Sequence, residues 1–239
     1  MREKDKILTI SMPTYDKVFA EVVANMSDVM NNSRYKIEIL IKTSSLISCA
    51  RNDHARQFQG DWLLFWDSDI VVPQKHIKAI NRLIDHNRDI VGGLYVKKSN
   101  PSIAIDQGLG AIKVPAPTLG KWVDGKFEVP LEFTPDSLFE VDSIGMGFTL
   151  IKREVIERVS AMGGKPFDHI LDDNGVQLGE DVSFCLKAKK AGFNVYCDTG
   201  LELVHLGVYG YSIRDFYPFQ KDLIEARKHM EKKIEVVSK

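Results

Sequence analysis

Hydrophobic positions along the chain switch repeatedly between a period of two and a helical period. Residues 7–12 (Ile-Leu-Thr-Ile-Ser-Met) are β-rich and predict a strand that stops at Pro13. Residues 16–30 carry Val18, Phe19, Val22, Val23, Met26 and Val29 at helical spacing. Residues 37–41 predict a second strand, and residues 48–59 a helix that holds Arg51, Asn52 and Arg56. The run Trp62-Leu63-Leu64-Phe65-Trp66 follows Gly60-Asp61 without a polar break, which predicts a strand buried on both faces. Pro73 opens a further helix with Ile77, Ile80, Leu83 and Ile84 on one side, and residues 89–96 form the next strand. This β-α-β-α-β-α-β order argues for an α/β fold with a largely parallel sheet and right-handed crossovers.

The pattern changes near Lys97. Residues 99–135 contain five prolines and no helical period. Within them, residues 121–129 predict a hairpin about Asp124-Gly125. This stretch reads equally as a surface insertion or as a loop region over a site, in contact with a second substrate. Residues 139–144 predict a strand, Gly145-Met146-Gly147 a tight passage, and residues 148–162 a strand that continues into a helix, broken at Gly163-Gly164-Lys165-Pro166. Residues 180–191 predict a helix with Val182, Cys185, Leu186 and Ala188 inward and Gly192 as its cap, followed by a short strand over 193–197. The tail from Tyr217 has apolar residues at Leu223, Met230, Ile234 and Val237. That predicts an amphipathic helix, which most often packs back on its domain and less often serves a dimer or a membrane surface.

Composition narrows the class. With 239 residues, 44% apolar and 27% charged, the chain can build a sizeable core as one large or two small domains. A net charge of −1 gives no basic footprint for nucleic acid. No apolar run approaches the ~20 residues of a membrane span. Cys49, Cys185 and Cys197 are odd in number and lack metal-type spacing, so free thiols in a reducing compartment are expected. No signal peptide is visible, and the expected location is the cytoplasm.

Three separated pieces carry candidate chemistry. Asp67 and Asp69 follow the apolar strand at its carboxyl end, where ligands bind in open α/β sheets. Two carboxylates there repel one another, and a hard divalent cation bound to phosphate oxygens relieves that repulsion; the plainer alternative is a turn that begins with solvated acids. Glu180-Asp181 opens a helix, where acids complement the dipole, or where one carboxylate serves as general base for an acceptor hydroxyl. His205 is a core histidine or a third cation ligand. Arg51 and Pro13-Thr14-Tyr15 support them: the arginine can fork onto phosphate oxygens and the tyrosine ring can face a base. Alternatively, Arg51 pairs with surface acids and Tyr15 caps the sheet edge.

Together these pieces resemble a glycosyltransferase of the GT-A fold, nearest to family 2. The likeness rests on residues 10–15, on Ala50-Arg51-Asn52, on residues 60–73 with their DxD motif, on residues 179–192 and on Val204-His205. The resemblance implies a mostly parallel, Rossmann-like sheet flanked by helices, with a small hairpin-containing insertion. It implies one catalytic domain over 1–214, divided into a nucleotide-binding half (7–96) and an acceptor-side half (97–214), with residues 215–239 as a C-terminal helix. The donor would be a UDP- or GDP-sugar on Pro13, Thr14, Tyr15, Arg51, Asp67 and Ser68. Mn²⁺ or Mg²⁺ would sit on Asp67, Asp69 and His205. Asp181 would be the base of an inverting hexosyltransferase, with Glu180 beside it. The acceptor would be a glycan, lipid or protein, and peripheral membrane contact is allowed.

The sequence departs from the family where many members carry an acid after the second strand, since this chain has Lys42-Thr43-Ser44-Ser45. Three alternatives use the same residues. One is a haloacid-dehalogenase-like phosphatase with Asp67 as nucleophile and Asp69 as acid/base. Another is a nucleotidyltransferase, which would need a glycine-rich loop that Ser11-Met12-Pro13-Thr14 does not provide. The last is a carbohydrate- or nucleotide-sugar-binding protein without turnover.

Overall fold

The computed structural model describes residues 6–98, 103–106, 111–123, 126–207 and 211–237. In chain order the elements are β1 (Ile7–Thr14), α1 (Ala20–Asn31), β2 (Lys36–Thr43), α2 (Ile47–Gln57), β3 (Trp62–Trp66), β4 (Ile70–Val71), α3 (Ala79–Asp85) and β5 (Ile90–Leu94). Then come β6 (Ile103–Asp106), β7 (Ala111–Val114), β8 (Leu119–Val123), β9 (Lys126–Glu128), β10 (Leu138–Val141), β11 (Ser143–Ile144), β12 (Phe148–Lys152) and α4 (Arg153–Ala161). The chain ends through α5 (Glu180–Lys190), β13 (Val195–Glu202), β14 (Val204–His205), β15 (Tyr211–Ser212) and α6 (Tyr217–Val237).

The main sheet has the order β10-β13-β5-β12-β3-β1-β2. β1 is parallel to β2 and β3, β13 is parallel to β5, and β12 is antiparallel to both β3 and β5. Five of the seven strands therefore run one way, and the sheet is mostly parallel. The wedge of β12 between β3 and β5 departs from a simple alternation. Its residues Phe148 to Ile151 are all buried, so it belongs in the sheet centre.

All five residues of β3 are buried, in keeping with its unbroken apolar sequence. Trp62, Leu64 and Trp66 pack on one sheet face with Leu8, Ile10 and Met12 of β1 and with α1 and α3. Leu63 and Phe65 pack on the other with α4 and α5. Each such large side chain contributes roughly 1.5–3 kcal/mol when fully buried. That rigid centre fixes where the chain leaves β3.

Several boundaries differ from the sequence pattern. β1 runs through Pro13, which pairs in register with Lys42, rather than stopping there. Pro13 lies past the last β1–β3 pair, Ser11–Phe65, so no ladder partner on that side requires its missing N–H. α1 starts at Ala20 because Phe19 is extended, with its N–H donated to the Ser68 carbonyl at 3.3 Å. The helix expected from Pro73 is a 3₁₀ turn, Gln74–His76, followed by the short α3. α5 ends as expected, with Gly192 in the left-handed region just past its cap (φ +92°).

β8 and β9 pair antiparallel with Val123 opposite Lys126; the expected turn residues Asp124 and Gly125 lie outside the described residues. The insertion is stitched to the sheet, since Lys97 N–H donates to Ala116, Thr118 N–H to Tyr95 and Gly145 N–H to Thr118. α6 packs back on the domain. Leu223 is buried, and Gln220 Nε2 donates to the Leu131 carbonyl at 2.6 Å. The side chains of Met230, Ile234 and Val237 lie outside the described residues. The three cysteines are free thiols, with Cys185 and Cys197 buried. Among the described residues no helix is long and apolar enough to cross a membrane.

Candidate active site

The end of β3 is held by its neighbours. Asp67 N–H donates to the Gly147 carbonyl at 2.8 Å, and Ile70 N–H turns back to the Asp67 carbonyl at 3.1 Å. Trp66 Nε1 donates to the Ile70 carbonyl at 2.9 Å, which closes the turn from below. β4 then pairs antiparallel with β14, Ile70 opposite His205, and Leu206 N–H donates to the Asp69 carbonyl at 2.7 Å. This register brings a histidine from residue 205 beside an aspartate at residue 69. His205 Nε2 lies 3.5 Å from Asp69 Oδ1. Its Nδ1 donates to the Val96 carbonyl at 2.8 Å, which orients the ring with Nε2 toward Asp69. The Tyr95 ring packs edge-on against the imidazole at 5.3 Å.

Arg51 reaches in from α2 with 2% of its side chain exposed. Its Nη2 donates to both Asp67 oxygens at 3.1 Å, and its Nε to Glu180 Oε1 at 3.4 Å. The guanidinium also lies over the Phe65 ring, 4.9 Å from its centroid. Burial opposes this charge, yet Asp67 and Glu180 outweigh burial and raise the Arg51 pKa. The structure engages Arg51 with acids from two motifs rather than with acids at the surface. Four of its five N–H donors meet Asp67, Glu180 and the Met146 carbonyl, and it joins the DxD motif to the Glu180-Asp181 motif.

The Gly145-Met146-Gly147 passage lines up this network. Tyr95 Oη accepts from Gly147 N–H at 2.8 Å, and a Cβ on Gly147 would sit 2.6 Å from that oxygen. Only glycine permits this approach without a shift.

Asp67 is pushed upward by burial and by Asp69, against the Arg51 fork. Burial would also raise Asp69, but His205 and Lys98 hold it below the ordinary carboxylate range. Lys98 pairs its ammonium with Asp69 Oδ2. No sequence pattern marked Lys98, although it lies just past the carboxyl end of β5, where such sheets bind ligands.

The two acids of α5 differ. Glu180 is tied to Arg51, whereas Asp181 Oδ1 accepts, among the described residues, the adjacent Val182 N–H at 2.8 Å. Burial, helped by the Glu180 charge, raises the Asp181 pKa. The space for its carboxylate exists because residue 179 is glycine, whose added Cβ would lie 2.8 Å from Asp181 Oδ1.

One cleft is lined by Pro13, Thr14, Tyr15, Ser44, Ser45, Ile47, Ala50, Asp67, Ser68 and Asp69. It gathers six of the expected site residues, and Tyr15 stands 70% exposed beside it. Arg51, Glu180 and His205 connect to it through Asp67 and Asp69. Asp67, Asp69 and His205 do not form a ready metal cage: among the described residues, no group of three or more His, Cys, Asp or Glu could hold an ion.

The chain matches the model of glycosyl transferase family 2 over residues 20–129, a span that includes Arg51 and the DxD motif. The resemblance to that family is therefore shown for this part of the chain. Among solved structures the fold is similar to A197 from STIV, at 19% identity over 88% of this chain and 91% of that one, with a TM-score of 0.55. The S. aureus TarS 1–349 structure aligns at 15% identity over 92% of this chain and 65% of that one, with a TM-score of 0.42. A search of curated proteins returned no match.

Proposed function

We propose that this chain, similar to family 2 glycosyltransferases over residues 20–129, transfers a hexose from a UDP- or GDP-sugar to an acceptor hydroxyl with inversion. The observation that carries this reading is the convergence of three pieces remote in sequence. Pro13-Thr14-Tyr15 and Asp67-Ser68-Asp69 line one cleft, His205 meets Asp69, and Glu180-Asp181 is tied in through Arg51.

In this reading the nucleoside lies against Pro13, Thr14 and Tyr15, with Ser44 and Ser45 facing it in place of an acid. Ser68 and the two aspartates border the diphosphate. The donor set fits Mn²⁺ or Mg²⁺ in one respect: the Asp69 carboxylate is held below the ordinary range, and the His205 imidazole stands 3.5 Å from it. Asp69 and His205 would hold the ion, and Asp67, engaged by Arg51, would orient the turn or complete the set. When bound, the ion would stabilise negative charge on the departing diphosphate.

Asp181 takes the acceptor proton as the acceptor oxygen bonds to the anomeric carbon. The bond from that carbon to the phosphate oxygen breaks, and its electron pair leaves with the nucleoside diphosphate. A base raised above the ordinary carboxylate range suits this task near neutral pH. Arg51 and Glu180 keep the two motifs in register. The acceptor is a glycan, lipid or protein, and peripheral membrane contact is compatible with it. Three free thiols suit a reducing compartment, and we assign the activity to the cytoplasm.

The phosphatase reading requires a free Asp67 oxygen for attack, and both oxygens accept from Arg51. The test is a thermal-shift series with UDP- and GDP-sugars, with and without Mn²⁺, followed by calorimetry on Asp69→Ala. One nucleotide sugar should raise the melting point in a metal-dependent way, since a ligand of the native state stabilises it. The Asp69→Ala protein should lose that metal dependence. Equal metal and donor affinity in the variant would overturn the assignment.

A further inference from the structure

β2 ends the main sheet, and among the described residues nothing pairs with its outer edge. An eight-residue edge strand is a ready template for another strand, and proteins usually blunt such edges. This one keeps an apolar row. Ile37, Ile39 and Ile41 share one face, with Ile39 41% and Ile41 60% exposed. Leu46 and Ile47 are exposed as well, just after the strand.

The sequence of β2 is complementary to itself. Place two copies antiparallel about Leu40, and Leu40 faces Leu40. Ile39 then faces Ile41 of the second copy, and Glu38 faces Lys42. Residues opposite one another in such a pair point to the same face, so both matches are geometrically allowed. Glu38 and Lys42 lie on the face opposite the isoleucines. Lys42 pairs with Asp53 of its own chain, yet its side chain stays 40% exposed and within reach of a second acid. A shift by one residue would lose both matches. Opposite charges and apolar pairs therefore select one register out of several.

We infer that β2 is a self-recognition strand: two copies of this chain join edge to edge, antiparallel about Leu40, into one continuous sheet with two-fold symmetry. The inference does not rest on the proposed activity, because it uses only the edge and its sequence.

Sedimentation equilibrium over a concentration series tests it with charge variants. The native chain should approach twice its monomer mass as concentration rises. Glu38→Lys sets two ammonium groups against each other at both ends of the paired strands, and Lys42→Glu sets two carboxylates there. Each substitution alone should therefore weaken association by ~10-fold or more. An equimolar mixture of the two variants should associate again, because a strand with two lysines then meets a strand with two glutamates. The double variant E38K/K42E should also recover. Circular dichroism on each single variant checks that it is folded. A native chain that stays monomeric throughout, single variants that associate like the native chain, or a mixture that fails to recover would each overturn the inference.

Discussion

A guanidinium with 2% of its side chain exposed needs counter-charge, and Arg51 finds it in both acidic motifs at once. Replacing it by methionine would leave Asp67 and Glu180 facing each other across a largely dry gap. Breaking such a pair from one side costs about 3–5 kcal/mol. Urea unfolding of Arg51→Met should show a deficit of that order at pH 7. It should shrink as pH falls, because Asp67, already pushed upward by burial, then takes up a proton and loses its uncompensated charge. A pH-independent deficit would mean that Arg51 acts by packing alone. Asp181 allows a different separation. Asp181→Asn should keep donor affinity while transfer falls by roughly 10²–10⁴, read by calorimetry and by a transfer assay. Gly179→Ala should move the same carboxylate and lower turnover less, with donor affinity kept. At this scale Asp67 and Asp69 stand out because they end an unbroken apolar strand, whereas Glu180-Asp181 and His205 gain weight only beside that pair. The role of Arg51 was not, since a sequence shows a charge but not how deeply it lies. Lys98 is invisible in the sequence because a lysine after a strand carries no spacing signal, and its contact with Asp69 is what marks it.

Elements decide which of these residues meet. His205 reaches Asp69 through the β4–β14 register, and two strands of two residues each leave too short a pattern to be read in advance. β3 was legible for the opposite reason, because five apolar residues in a row leave no solvent face. A second inter-element contact has a pH consequence. Ser11 on β1 and His54 on α2 share a buried hydrogen bond of 2.6 Å. Burial, aided by Lys42 and Arg51, lowers the His54 pKa to about 4. The folded chain thus holds His54 neutral, while the unfolded chain takes up a proton below its ordinary value near 6.5. This contribution to stability is complete above pH 6.5 and declines as pH falls toward 4, by up to about 3 kcal/mol. Chemical denaturation at stepped pH should show that slope in the native protein. His54→Asn should show a shallower one over the same window. Equal slopes would assign the acid sensitivity to other groups, such as Asp198, whose lowered pKa acts further down the scale.

At the scale of the whole molecule, alternating strand and helix signals gave the class of sheet, because each strand's burial is written in its own residues. Strand order was not written there. The insertion of β12 between β3 and β5 depends on which long-range pairing buries Phe148 to Ile151 best, and no local period encodes that choice. The sequence of segment 99–135 fits a surface insertion and a loop region over a site equally. The segment's hydrogen bonds to Lys97, Tyr95 and Gly145 tie its root to the chain after β5 and to the passage before β12, while its β9 end is held by α6 through Arg227 and Glu128. The tail helix is therefore a brace for the outer side of the insertion. Leu223 is buried in the same core cluster as Leu131 and Phe133, and none of the three lines the cleft beside Asp67 and Asp69. Leu223→Ala should cost about 2–4 kcal/mol in urea unfolding, the range for a truncated buried leucine. Calorimetric affinity for the nucleotide sugar, measured well below the melting point, should stay at the native value. If affinity fell in step with stability, the brace would reach the cleft beside Asp67 and Asp69 through the insertion, and α6 would have to be counted as part of the site.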